Sequence, residues 1–146
     1  VAERRTNRTL LDEPSPACAG APLAIACAVT EEPLDRCAAY VAARGALAAI
    51  HRAATSWPDG LAGQARDAAI GAVRATAEGI GHAHASAGRR RCVRDALHAA
   101  LELAATCDVA RAFGFGNAAL DEAHRDAGRA IAMLGLLLHA NTLDWD

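Results

Sequence analysis

The sequence contains no lysine. All 15 of its basic residues are arginine, set against 17 acidic residues, for a net charge of −2 over 146 residues. That balance excludes a strongly basic domain that coats nucleic acid. Aromatic residues make up only 3%. None is interleaved with the one basic cluster, so a platform for stacking single-stranded bases is missing. No window approaches ~20 uninterrupted apolar residues, which excludes a membrane-spanning helix.

Catalytic signatures are equally scarce. No G-x-S-x-G surrounds Ser15, Ser56 or Ser86, so no hydrolase nucleophile is indicated. Neither G-x-x-x-x-G-K-[ST] nor G-x-G-x-x-G occurs, so no nucleotide site is indicated. Glu-x-x-His, which di-metal bundles need on two helices, is absent as well. No catalytic residue, cofactor or resident metal is therefore expected. The five cysteines, at 18, 27, 37, 92 and 107, form no C-x-x-C pair. They are expected to pack as small apolar side chains in a reducing, cytoplasmic setting.

What the chain has in abundance is alanine: 40 residues, more than a quarter of the total. Alanine is the best helix former and a poor strand former, which points to an all-α protein. Pro14, Pro16 and Pro22 keep the first 29 residues from forming one long helix. Arg4, Arg5 and Arg8 ahead of the apolar run Leu23 to Val29 faintly mimic a leader peptide. Asp12, Glu13 and the prolines interrupt the approach to that run, so residues 1–29 are read as a retained, irregular extension.

Residues 30–146 divide into four helices. Thr30 suits an N-cap, with Glu31 and Glu32 in the first turn of a helix running to about Thr55. Its apolar residues fall on two sides, one with Leu34, Val41, Ala42, Ala48 and Ala49, the other with Tyr40, Leu47 and Ile50. After the break at Ser56-Trp57-Pro58, Asp59 can cap a second helix from Gly60 to about Gly79. Its stripe is Leu61, Ala65, Ala68, Ala69, Ala72, Val73 and Thr76. A glycine-bearing loop to Gly88 precedes a third helix that ends near Ala112. Val93, Ala96, Leu97, Ala100, Leu103, Ala104 and Cys107 form its stripe. The turn Phe113-Gly114-Phe115-Gly116 supplies a glycine C-cap, and Asn117 caps a fourth helix lined by Leu120, Ala123, Ala127, Ile131, Leu134 and Leu138. Short loops make successive helices antiparallel, giving an up-down-up-down four-helix bundle. A buried Ala methyl contributes about 0.8 kcal/mol against about 1.5–3 for a Leu or Ile. The thin interior that results favours oligomerisation. Tyr40, Leu47, Ile50, Trp57, Phe113 and Phe115 are the bulky candidates for an oligomer interface.

The segment from Gln64 to His82 reads QARDAAIGAVRATAEGIGH. It resembles the signature Q-L-R-R-A-A-V-S-I-A-A-N-I-A-E-G-x-G-R of the small bacterial four-helix bundle proteins that include the 23S rRNA intervening-sequence proteins. Gln64, Arg66, Ala68, Ala69, Ala77, Glu78, Gly79 and Gly81 match without gaps. Trp57-Pro58 corresponds to the family's Phe-Pro turn, and Ala96 with Glu102 to its A-x-G-S-x-x-E. Asp67, Ala75 and His82 depart from the pattern. The resemblance spans about residues 34–140. It implies an antiparallel bundle that commonly assembles as a ring-shaped homopentamer. It also implies kinship with the accessory variability (Avd) proteins of diversity-generating retroelements, which engage nucleic acid through a basic surface. The net charge of −2 weighs against that activity here.

Three groups of side chains bear on function. Glu78 and Glu102, retained from the motif, could act as a carboxylate pair on neighbouring helices. The plainer reading pairs Glu78 with Arg66, Arg74 or Arg94. His82-x-His84, with Cys92 and His98 downstream, is the best metal candidate, and a metal-binding bundle is the third functional alternative. Arg89, Arg90, Arg91 and Arg94 form the basic cluster, at a helix start where cations oppose the dipole. They are read either as contacts to phosphate or an acidic partner, or as a solvated face paired with Asp95. Asp108 or Asp121 of a neighbouring subunit are the other possible partners. The leading expectation is a non-enzymatic homo-oligomeric module for structure or protein interaction, with a possible protein partner at the N-terminal extension and nucleic-acid binding as the alternative.

Overall fold

A computed structural model describes residues 34–140. The extension, Thr30, Glu31, Glu32, Cys18 and Cys27 lie outside the described residues. A 3-10 turn at Leu34–Arg36 leads into α1, Ala38–Ala53. A second such turn, Ala54–Ser56, leads to α2, Asp59–Gly81. Then come α3, Ala87–Ala112, and α4, Ala118–Ala140. No strand occurs among the described residues. The helices α1–α2, α2–α3, α3–α4 and α1–α4 are in contact, which closes an antiparallel four-helix bundle. None of the described helices is long and apolar enough to cross a membrane.

The helix ends follow local chemistry. Asn117 Oδ1 accepts from the Leu120 N–H at 2.8 Å, as a capping asparagine should. At the end of α3, the Phe115 N–H donates to Ala110 O and the Gly114 N–H to Arg111 O, both at 3.0 Å. This is a Schellman motif. Its glycine has φ +85°, a left-handed conformation that a Cβ would strain. Ser86 closes the start of α3: the Arg89 N–H donates to its Oγ at 3.1 Å. Asp59, by contrast, occupies the first turn of α2 and makes no capping bond, because Pro58 holds the cap position.

The interior is built largely from methyl groups. Among the described residues, 17 of 24 buried apolar side chains are alanines. The larger ones, Ile50, Trp57, Val93, Leu103, Cys107, Leu120 and Leu134, are spaced along the bundle axis. They divide between two clusters. One surrounds Trp57, at the end where α1 finishes and α2 begins; the other surrounds Val93 and Leu134 at the opposite end. The stripes expected for α2, α3 and α4 point inward largely as read, with Leu61, Val73, Leu97, Ala104, Ile131 and Leu138 on the flanks.

Helix α1 differs. It begins at Ala38, after an extended Cys37, and its inward face is Ala39, Ala43, Ala46, Ala49, Ile50 and Ala53. Of the two apolar sides read in the sequence, the first places Leu34, Val41 and Ala48 in solvent. Alanines lie on every side of this helix, so apolar periodicity does not define one face. Packing selected the small side chains because they let neighbours approach closely. The same choice corrects two interface candidates. Ile50 is fully buried and Trp57 is 5% exposed, so both belong to the protomer's own core.

Candidate functional site

The end of the bundle that carries the α2–α3 turn is chemically distinct. Here α1 and α3 begin and α2 and α4 finish. Gly79 lies against Cys92 and Val93, with a Cβ placed on it meeting Cys92 Cβ at 3.4 Å, so the last turn of α2 sits close to the start of α3. His82 then turns the backbone extended, and Ala85 adopts φ 57° before Ser86 opens α3. The His82 ring lies over Gly88, where a Cβ would meet it at 2.8 Å.

This geometry presents all four arginines of the basic cluster within the first two turns of α3. Arg90 folds back, its guanidinium donating to Ala85 O at 2.8 Å. Arg91 reaches Asp95 only at 4.0 Å, and its side chain is 84% exposed. An exposed pair at that distance contributes little. Within the protomer, Asp108 and Asp121 pair with another arginine. Arg111 binds Asp108 at 2.9 Å and Asp121 at 3.0 Å, and His124 approaches Asp108 at 3.3 Å. The hydrogen bond that Arg111 donates to Asp121, and then the nearby carboxylate charges, raise the Arg111 pKa. That network ties α3 to α4 at the far end of the molecule.

The motif residues occupy both flanks of α2 and one side of α3. Gln64, Glu78 and Gly81 are exposed, Arg66 is half-buried, and Gly79 is buried against α3. Glu78 lines a shallow groove of ≈ 420 Å³ with Asp67, Ile70, Gly71, Arg74 and Ala75. It makes no ion pair with Arg66, Arg74 or Arg94 among the described residues. Glu102 is not beside it. The antiparallel register sets Gly79 level with Cys92, and Glu102 stands ten residues farther along α3, about 15 Å at 1.5 Å per residue. The two carboxylates do not converge. Among the described residues, no three of His, Cys, Asp and Glu gather as metal ligands, and His82, His84, Cys92 and His98 are not brought together.

Of the remaining interface candidates, Tyr40 and Leu47 are half-buried, and Arg44 lies 5.7 Å over the Tyr40 ring. Phe115 packs on the core at 6.4 Å from Trp57. Only Phe113 stands free, 69% exposed. It ends a ridge: Leu101, Ala105 and Val109 on the exposed side of α3, and Phe113 at its C-cap, follow one another every four residues. Leu101 is 47% and Val109 44% exposed. Their i, i+4 spacing was visible in the sequence, but so was the competing stripe through Leu103, and burial alone distinguishes them. Leu136 at 66% and Met133 at 40% add exposed apolar surface on α4. The protein is thus an all-α four-helix bundle with a basic end and an apolar ridge. Comparison with protein-family models and with curated proteins finds no match for the chain.

Proposed function

We propose that this chain is a non-enzymatic module that associates with copies of itself and serves as a structural or protein-interaction platform. The ridge Leu101–Ala105–Val109–Phe113 carries this reading. A monomer that buries mainly alanine while exposing Leu, Val and Phe in one row leaves apolar surface for another chain to cover. The resemblance to the intervening-sequence proteins supports a ring-shaped pentamer as the assembly. The apolar run Leu23 to Val29 is a second element for contact with a neighbouring subunit or another protein. Light scattering across micromolar concentrations tests the association. The wild-type chain is expected to exceed its 15.0 kDa monomer mass. Val109→Asp with Phe113→Asp should weaken association by at least about tenfold, or ~1.4 kcal/mol, with helical content unchanged. A monomeric wild type at these concentrations overturns the reading.

A second reading rests on the basic end. Arg89, Arg91 and Arg94 are positioned to meet phosphates, in the manner of the accessory variability proteins. It predicts nucleic-acid binding that weakens steeply with salt, with a log–log slope of about −0.9 per phosphate contact on duplex DNA. Replacing the three arginines by alanine should flatten that slope. An absence of any shift of RNA or DNA at low salt overturns it.

A further inference from the structure

The outward face of α2 is uncovered in the protomer, because α1 and α3 pack along its two flanks. The shallow groove of ≈ 420 Å³ runs along this face, lined by Asp67, Ile70, Gly71, Arg74, Ala75 and Glu78. Asp67, Ile70, Arg74 and Glu78 are exposed, Ile70 at 42%. Asp67 and Arg74 carry opposite charge and stand two turns apart, about 10 Å along the helix. Neither makes an ion pair among the described residues. Two glycines lie among these side chains. A Cβ on Gly63 meets nothing within 4 Å, and one on Gly71 meets only Ala99 Cβ, at 3.4 Å. Glycine weakens a helix interior relative to alanine, and at Gly63 no contact inside the protomer calls for it.

The face is complementary to itself. Reversed about the point between Ile70 and Gly71, position 67 falls on 74, position 70 on 71, and position 63 on 78. Laid antiparallel on a second copy about a twofold axis at that point, α2 sets Asp67 over Arg74, Ile70 over Gly71 and Glu78 over Gly63, each pair occurring twice. The central charges meet their opposites, and the other protruding side chains meet glycines. A parallel pairing in register sets Asp67 on Asp67 and Arg74 on Arg74, so charge selects the antiparallel arrangement.

We propose that this face of α2 is an isologous contact with a second copy of the chain, antiparallel and centred between Ile70 and Gly71. Exposed ion pairs contribute little by themselves, so the two Asp67–Arg74 pairs fix direction and register. Affinity comes from Ile70 seated in the notch at Gly71 and from the close approach of the two helices that glycine permits. The contact goes beyond association through the α3 ridge and does not depend on it.

Charge reversal in a chain that also carries Val109→Asp and Phe113→Asp tests this, because the ridge is then disabled. Val109 lies ten residues, ~15 Å, along α3 from the Ala99 that faces Gly71. Sedimentation equilibrium of this background chain at micromolar concentration should give twice the 15.0 kDa monomer mass. Adding Asp67→Arg, or separately Arg74→Asp, should weaken dimerisation at least about tenfold, since each sets like charges face to face at two places. Mixed in equal amounts, the two reversed chains should recover the dimer, because each reversal then faces the other. Both positions are exposed, and circular dichroism verifies the fold. A monomeric background chain overturns the α2 contact; a wild type that still associates then assigns association to the ridge alone. A dimer that neither reversal weakens, or reversed chains that stay monomeric on mixing, overturns it as well.

Discussion

Cys107 shows how a single small side chain reports its surroundings. It is fully buried on α3, in the cluster around Trp57. Burial, and then the charge of Asp108, push its thiol up to about 11. The neutral thiol is therefore the packed form, as expected for a cysteine used as a small apolar residue. Two consequences follow. Native Cys107 should resist alkylation at pH 8 while the half-buried Cys37 and Cys92 react, as mass spectrometry can show. In addition, an unfolded thiol ionises near its ordinary value, so between about pH 9 and 11 the unfolded chain sheds a proton that the folded chain keeps. Stability is then lost as pH rises through that window, and Cys107→Ala should lessen the loss in urea titrations. Trp57 shows the opposite residue-level outcome. It is a bulky interface candidate in the sequence, yet it lies in the core, with Phe115 of the α3–α4 turn 6.4 Å away.

At the scale of elements, the turn and cap that join α3 to α4 were legible because they depend on neighbouring residues alone, whereas Pro58 holds the cap position of α2 in place of Asp59 and Ser86 caps α3. The α3–α4 turn is the clearest case, since Gly114 carries the positive φ that ends α3. A Cβ there meets nothing within 4 Å, so the cost of Gly114→Ala is conformational, about 1–2 kcal/mol. Urea unfolding should show a lower midpoint with an unchanged slope. Helix α1 was harder to read for a physical reason. Where nearly every position is alanine or another apolar residue, amphipathic spacing points to no single face. The start of the helix and its inward residues were then set by what α2 and α4 presented. Gly45 illustrates the constraint: a Cβ there would meet the Asp126 carboxylate of α4 at 2.6 Å, so the two helices pass closely at that position.

At the scale of the molecule, charge and apolar surface are separated. The far end holds a knit network of Arg111, Asp108, Asp121 and His124, joined by Arg52 with Glu122 at 2.7 Å. The near end holds the arginine cluster at the start of α3, and the ridge on α3 runs toward the far end.

Alanine content, glycine and proline placement and the Asn117 cap determined by themselves that this chain makes four antiparallel helices, because helix propensity and capping act between residues close in sequence. Tertiary structure alone decided which of several apolar stripes became interior. It buried Ile50 and Trp57, left Leu101, Val109 and Phe113 in solvent, and kept Glu78 and Glu102 apart. Those outcomes depend on the register and separation of helices that meet only after folding, and small side chains allow more than one such arrangement to be written in the same pattern.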